Sequence, residues 1–210
     1  MQMNMKYLKY FLSPSIGLAL AAVCAQFSTL AAEPSAATAA KADDPEVAVI
    51  KTTEGTMVVQ FWSDAAPKTI ANFKKLAKEG FYDGTCFHRV IKGFMIQGGD
   101  PNTKDPSKDP SSWGMGGPNY TVDAEFNDHS HVRGVISMAR SNDPNSAGSQ
   151  FFICHGSPTQ LDHHYTTFGK LIKGDEVLEK IATTPTNPQD RPDKRMDIIS
   201  IKIVALSTVK

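Results

Sequence analysis

The sequence predicts a mainly β protein built as a closed antiparallel barrel, with two α-helices covering its ends. Both ends of the folded region read as strands, and only two segments between them carry a helical period. The remainder is short apolar runs divided by loops rich in Gly and Pro, with no internal repeat. Two helices are too few to alternate with so many strands, which argues against a parallel sheet.

The opening strands are the apolar runs at 47–51 and 57–62, joined by the turn Thr52-Thr53-Glu54-Gly55. Near the C-terminus Ile199, Ile201 and Ile203 alternate with Ser200 and Lys202, the period of two of a half-buried strand. The first helix is predicted over 64–79, with Pro67 near its start, Ile70, Phe73, Leu76 and Ala77 on one stripe, and Gly80 just past its end. A shorter helix over 175–182 sets Asp175 and Glu176 at the positive end of its dipole and turns Val177, Ile181 and Ala182 inward.

A chain of 210 residues fits one domain with short appendages. Its 22 basic and 22 acidic residues balance, so no basic surplus points to nucleic acid and no acidic block to a solvating tail. Residues 1–32 read as a secretory signal peptide: Lys6 and Lys9 precede the apolar run at 16–25, and Ala31 and Ala32 suit cleavage. That run is short of the about 20 residues a spanning helix needs. Lipid attachment at Cys24 fits poorly, because Val23 stands where a small residue belongs. The expected destination is the periplasm or the exterior, with no stable membrane association once the signal is removed. Residues 33–46, EPSAATAAKADDPE, lack apolar periodicity and read as a flexible linker to a domain over 47–208. Of the cysteines left after cleavage, Cys86 and Cys154 both lie within apolar runs, which favours buried free thiols over a bridge.

The most specific segment is Phe87-His88-Arg89-Val90-Ile91-Lys92-Gly93-Phe94-Met95-Ile96-Gln97-Gly98-Gly99-Asp100. A second block joins Gly134-Val135-Ile136-Ser137-Met138-Ala139-Arg140 to Gly148-Ser149-Gln150-Phe151-Phe152-Ile153-Cys154. The third is Leu161-Asp162-His163-His164-Tyr165-Thr166-Thr167-Phe168-Gly169-Lys170. In order and spacing the three blocks resemble the cyclophilins, over roughly residues 47 to 206, and the loop Trp113-Gly114-Met115-Gly116-Gly117-Pro118 looks like that of bacterial members.

The resemblance implies an eight-stranded barrel closed by two helices, and a peptidyl-prolyl cis-trans isomerase acting on proline-containing peptides and unfolded exported proteins. It implies no cofactor or metal, and nothing in the sequence suggests more than a monomer. By family position Arg89 is the catalytic arginine; Phe94, Met95, Phe152 and Leu161 line a proline pocket. Gln97 and the backbone near Ala139 hold the substrate chain, and Gln150 packs beside the arginine. Tyr165 replaces the histidine of many eukaryotic members and can still offer a hydroxyl and a ring face. Gln160 replaces a common tryptophan, which predicts weak cyclosporin binding. The loop 140–147 is one residue longer than the common form, and Arg140 and Ser141 are placed to tune what precedes proline.

Other signals point elsewhere less strongly. His129 and His131, and His163-His164 beside Asp162, raise a metal site, but solvated loop histidines are the simpler expectation. Gly114-Met115-Gly116-Gly117 lacks the strand and helix of a dinucleotide loop. Gly148-Ser149-Gln150 lacks the second glycine of a nucleophile elbow. The rival function is a peptide-binding or holding module with little isomerase activity, which loss of the arginine or pocket would favour; both are present.

Overall fold

The computed structural model describes residues 45–209. The signal peptide expected at 1–32 and nearly all of the linker expected at 33–46 lie outside the described residues. Eight strands and two helices follow in the order β1 Glu46–Thr52, β2 Gly55–Phe61, α1 Pro67–Lys78, β3 Arg89–Ile91, β4 Met95–Gly98, β5 Val135–Met138, β6 Phe151–Cys154, β7 Thr167–Lys173, α2 Asp175–Ala182 and β8 Ile198–Ala205. Strand β1 thus takes up Glu46, the last residue of the expected linker.

All eight strands belong to one antiparallel sheet in the order β3-β4-β6-β5-β7-β2-β1-β8. The closed barrel expected from the sequence is corrected here to a curled, open sheet, because its end strands β3 and β8 do not pair with each other. The chain just before each of them crosses the seam instead. Cys86 and Asp197 form a single bridge, Phe87 N–H donates to the Met196 carbonyl at 2.9 Å, and Ile198 N–H to that of Thr85 at 2.8 Å.

Helix α1 starts three residues later than its sequence pattern, at Pro67, which needs no amide partner in the first turn. No side chain of its own caps it. The Glu125 carboxylate does so from another part of the chain, accepting from the amides of Lys68 at 3.0 Å and Thr69 at 2.8 Å. At the other end Gly80 takes φ +69° and Phe81 N–H bonds the Leu76 carbonyl, a left-handed termination that glycine makes without steric cost. Helix α2 has the predicted bounds and buries Val177, Leu178, Ile181 and Ala182.

The alternation read at the C-terminus holds only in part. Pairing between β1 and β8 shifts between Lys51 and Thr52, which face Ser200 and Ile198 and leave Ile199 as the extra residue of a bulge. Ile199 is therefore exposed, whereas Ile198 and Ile201 are buried.

The core lies between the concave sheet and the helices, centred on Phe73 of α1. Its ring meets Tyr82 at 5.1 Å, Phe168 at 5.4 Å, Phe151 at 5.5 Å and Phe61 at 6.0 Å, all in tilted or edge-on geometries that aromatic quadrupoles favour. Truncating it would open a cavity ringed by four aromatics. Phe73→Ala is expected to lower the unfolding free energy by about 3–5 kcal/mol in urea titrations. A loss below about 1 kcal/mol would show that the cluster is not the centre of the core.

Candidate active site

Side chains alternate across a strand, so the pairing of β3, β4, β6 and β5 sorts their residues onto two faces. One row of cross-strand partners runs Val90, Ile96, Ile153 and Ile136, all buried in the main core. The next row runs Arg89, Gln97, Phe152 and Ser137. Beside it Ile91, Met95 and Cys154 pair, and Met95, Phe152, Cys154 and Val135 form a second apolar cluster separate from the main core. Phe94, Leu161, Tyr165 and Ala139 pack on that cluster from the surrounding loops.

These residues enclose a cavity of about 130 Å³. It is lined by Arg89, Phe94, Met95, Gln97, Ala139, Phe152, Leu161 and Tyr165, together with Arg140. Sites for drug-sized ligands usually exceed about 300 Å³, so this one suits a single small group. The structure thus brings together eight of the nine site residues named from the sequence. Gln150 is set apart, in a neighbouring groove, and no direct hydrogen bond joins it to Arg89.

Each wall has a local cause. Phe94 follows the turn at Gly93, which takes φ +82°, and its carbonyl accepts from His155 N–H at 2.9 Å and Gly156 N–H at 3.2 Å. A Cβ on Gly156 would lie 2.0 Å from the Gly93 carbonyl, so only glycine allows this approach. Leu161 closes the 3₁₀ turn Thr159–Leu161, and Tyr165 N–H bonds back to its carbonyl at 3.2 Å. The Tyr165 ring then meets Phe152 edge-on at 5.9 Å.

Arg89 stands at the polar rim with 43% of its side chain exposed. Its Nε–H points to an Asp190 carboxylate oxygen 3.4 Å away, a loose and equally exposed contact worth about 0–1 kcal/mol. Asp190 holds a left-handed φ of +61° and its carbonyl accepts from Val90 N–H at 2.7 Å. Sequence reasoning missed Asp190, because a residue 101 positions from its partner in a proline-rich loop carries no local signal. Gln97, the cross-strand neighbour of Arg89, donates to Gln150 Oε1 at 3.0 Å. Gln150 donates in turn to the Gly114 and Gly116 carbonyls at 3.0 and 2.8 Å. The loop carrying those carbonyls is tied down by the buried Asp100 carboxylate, which accepts from the amides of Gly114 and Gly116.

Behind the pocket, the expectation of solvated loop histidines fails for His131, whose side chain is fully buried. Its Nδ1–H donates to Asp162 at 2.8 Å and its Nε2 lies 3.1 Å from the Ser137 hydroxyl, which donates to the Thr166 carbonyl at 3.0 Å. Ser137, His131 and Asp162 are ordered like a hydrolase triad. Yet Ser137 is itself fully buried, so no substrate carbonyl can reach it. The network positions structure instead: it fastens the turn carrying Leu161 and Tyr165 to the strand leading to Ala139. His129 stacks on Trp62 at 3.9 Å, His163 is exposed, and His155 is buried between Gly93 N–H and Glu179. Among the described residues no group of three or more His, Cys, Asp or Glu is arranged to hold a metal ion. Cys86 and Cys154 are free and buried, and burial pushes their thiols up to about 11 and about 12.

Comparison with known proteins gives the family of the chain. Residues 47–203 match the family described as cyclophilin type peptidyl-prolyl cis-trans isomerase/CLD. A peptidyl-prolyl cis-trans isomerase of Synechococcus elongatus is 44% identical over 157 residues, 75% of this chain and 95% of its own. A probable peptidyl-prolyl cis-trans isomerase of Brucella abortus is 43% identical over 147 residues, 69% of this chain and 75% of its own. Among solved structures, a Cryptosporidium parvum cyclophilin-type isomerase determined in the presence of the dipeptide Ala-Pro superposes with a TM-score of 0.67. It shares 35% identity and covers 75% of this chain and 98% of that one. The chain belongs to the cyclophilin-type peptidyl-prolyl cis-trans isomerases, enzymes that interconvert the two forms of the bond preceding proline.

The His131–Asp162 network sets an acid limit on the pocket. The amide of His131 and the hydroxyl of Ser130 hold Asp162 at a pKa of about 2, while burial, opposed by Asp162, lowers His131 below its ordinary 6.5. Both groups bind protons more readily unfolded than folded, so both stabilise most at high pH. Unfolding free energy is therefore expected to decline as pH falls from 6.5, and again from 3.8 towards 2. His131→Asn should lessen the first decline, which buried His88 shares, and Asp162→Asn the second, in urea titrations across pH. Wild-type slopes retained in both variants would remove the network from the account.

Proposed function

We propose that this chain accelerates X-Pro isomerisation during the folding of exported proteins, with Arg89 polarising the prolyl amide above an apolar pocket. The observation that carries this reading is the single small cavity in which Arg89 meets Phe94, Met95, Phe152 and Leu161. The Ala-Pro dipeptide named with the Cryptosporidium relative supports proline-containing peptides as substrates. Export rests on the signal-like pattern at 1–32, and among the described residues no helix is long and apolar enough to cross a membrane. The domain is proposed to act as a monomer over 47–208, without cofactor or metal.

The chemistry breaks no bond. Resonance across the amide sets a barrier of about 18–20 kcal/mol, which leaves the uncatalysed exchange at tens to hundreds of seconds. Shortening about 100 s to about a millisecond needs a factor near 10⁵, or about 7 kcal/mol. The Arg89 guanidinium donates to the prolyl carbonyl and toward the proline nitrogen, favouring the twisted form in which that nitrogen regains its lone pair. One such preorganised donor supplies about 3–4 kcal/mol. The remainder falls to the pocket: proline is seated among Phe94, Met95, Phe152 and Leu161, water is excluded, and Gln97 and the Ala139 backbone hold the flanking chain.

In an exchange assay on an X-Pro peptide, Arg89→Ala is expected to lower kcat/KM by about 10²–10³, chiefly through kcat. Tyr165→Phe, which keeps the ring against Phe152 and removes only the hydroxyl, should cost less than about tenfold. Wild-type activity in a folded Arg89→Ala protein would end the mechanism. Activity absent from the wild type, with peptide still bound, would favour a holding module.

A further inference from the structure

We infer that Arg140 makes this enzyme prefer substrates with an acidic residue immediately before proline, an inference that rests on the isomerase reading above. Arg140 follows β5 and lines both the proline cavity and the adjoining groove of about 450 Å³ that runs past Gly116, Gly117, Ser146 and Gln150. It is held unusually firmly for a surface arginine. Its guanidinium lies 4.5 Å from the centre of the Tyr165 ring. Nε–H and Nη2 donate to the His164 carbonyl at 3.0 and 2.8 Å, and Nη1 donates to the carbonyls of Ser141 at 2.8 Å and Asn142 at 3.3 Å.

All these partners are neutral. Among the described residues no carboxylate pairs with Arg140, whereas Arg89 has Asp190 and Arg133 has Asp175 and Glu179. Among the described residues that line the cavity and the groove, none is acidic. A positive charge is thus fixed in place with no carboxylate partner among the described residues, and one Nη2 hydrogen is not used by these bonds. Because the side chain is already ordered, pairing with an anion loses little conformational freedom.

The strand order says which part of the substrate meets it. Arg89 on β3 and Arg140 after β5 flank β4 and β6, three strand spacings or about 14 Å apart along the curled sheet. Arg89 addresses the carbonyl of proline itself, so the chain after proline lies on its side. The residue before proline then leaves across Gln97 and Ala139, towards Arg140. A Glu or Asp side chain at that position reaches the guanidinium, whereas Lys meets like charge.

The test compares kcat/KM for Ala-Glu-Pro-Phe, Ala-Gln-Pro-Phe and Ala-Lys-Pro-Phe peptides with the full chain, by exchange spectroscopy at low salt. Wild type is expected to favour Glu over Gln by about fivefold, as for a half-exposed ion pair, and Lys should be poorest. Raising the salt to 1 M, where screening acts within about 3 Å, should bring the ratio close to one. Arg140→Gln should do the same at low salt, while Arg140→Lys, which keeps the charge, should retain most of the preference. A Glu-to-Gln ratio near one in wild type overturns the inference, as does a preference that survives in Arg140→Gln or is lost equally in Arg140→Lys. Absence of turnover on all three peptides would instead bring down the isomerase reading on which the inference rests.

Discussion

The register of the β3-β4-β6-β5 ladder is the constraint on which the rest of this structure depends. Cross-strand pairing places Val90, Ile96, Ile153 and Ile136 in one row facing the core, and Arg89, Gln97, Phe152 and Ser137 in the next, of which the first three line the cavity. A slip of one residue would exchange the two rows, burying a guanidinium and exposing four β-branched side chains. The hydrophobic effect that builds the core therefore also fixes Arg89 beside the cavity. Stability and site geometry are two readings of one pairing pattern.

Around that ladder the molecule fastens loops at a few defined points. Asp100 holds the amides of Gly114 and Gly116, whose carbonyls hold Gln150, which in turn orders Gln97 next to Arg89. Asp162 and His131 secure the turn that supplies Leu161 and Tyr165. These polar links, anchored on the buried Asp100 and His131, join partners far apart in sequence, and so they specify one arrangement of the pocket where apolar packing alone would allow several. The open seam between β3 and β8 lies outside this network, bridged near Cys86 and Asp197 and again where Val90 N–H meets the Asp190 carbonyl.

How much of this the sequence disclosed follows the range of each interaction. Helix α2, the β1–β2 hairpin and the turn glycines were legible because capping, periodicity and turn chemistry act over a few residues. The pocket residues were legible only through the three ordered blocks, since Phe94 or Leu161 alone reads as ordinary core. Burial of His131 was not legible: it depends on Asp162, 31 residues on. Nor was the exposure of Ile199, because a bulge is set by the partner strand and not by the alternation of its own. The start of α1 was misplaced for the same reason, its cap being Glu125 and not a neighbour.

The proposed mechanism requires that Arg89 itself contact the prolyl amide while the bond turns. It is tested most directly by following the Arg89 Nε–H resonance in a chain carrying ¹⁵N-labelled arginine, during titration with an Ala-Pro-containing peptide whose cis and trans signals are recorded in the same sample. The Arg89 signal is expected to shift on binding and to broaden with the exchange rate measured on the peptide. Rapid cis–trans exchange with an Arg89 signal unmoved at saturation would contradict it.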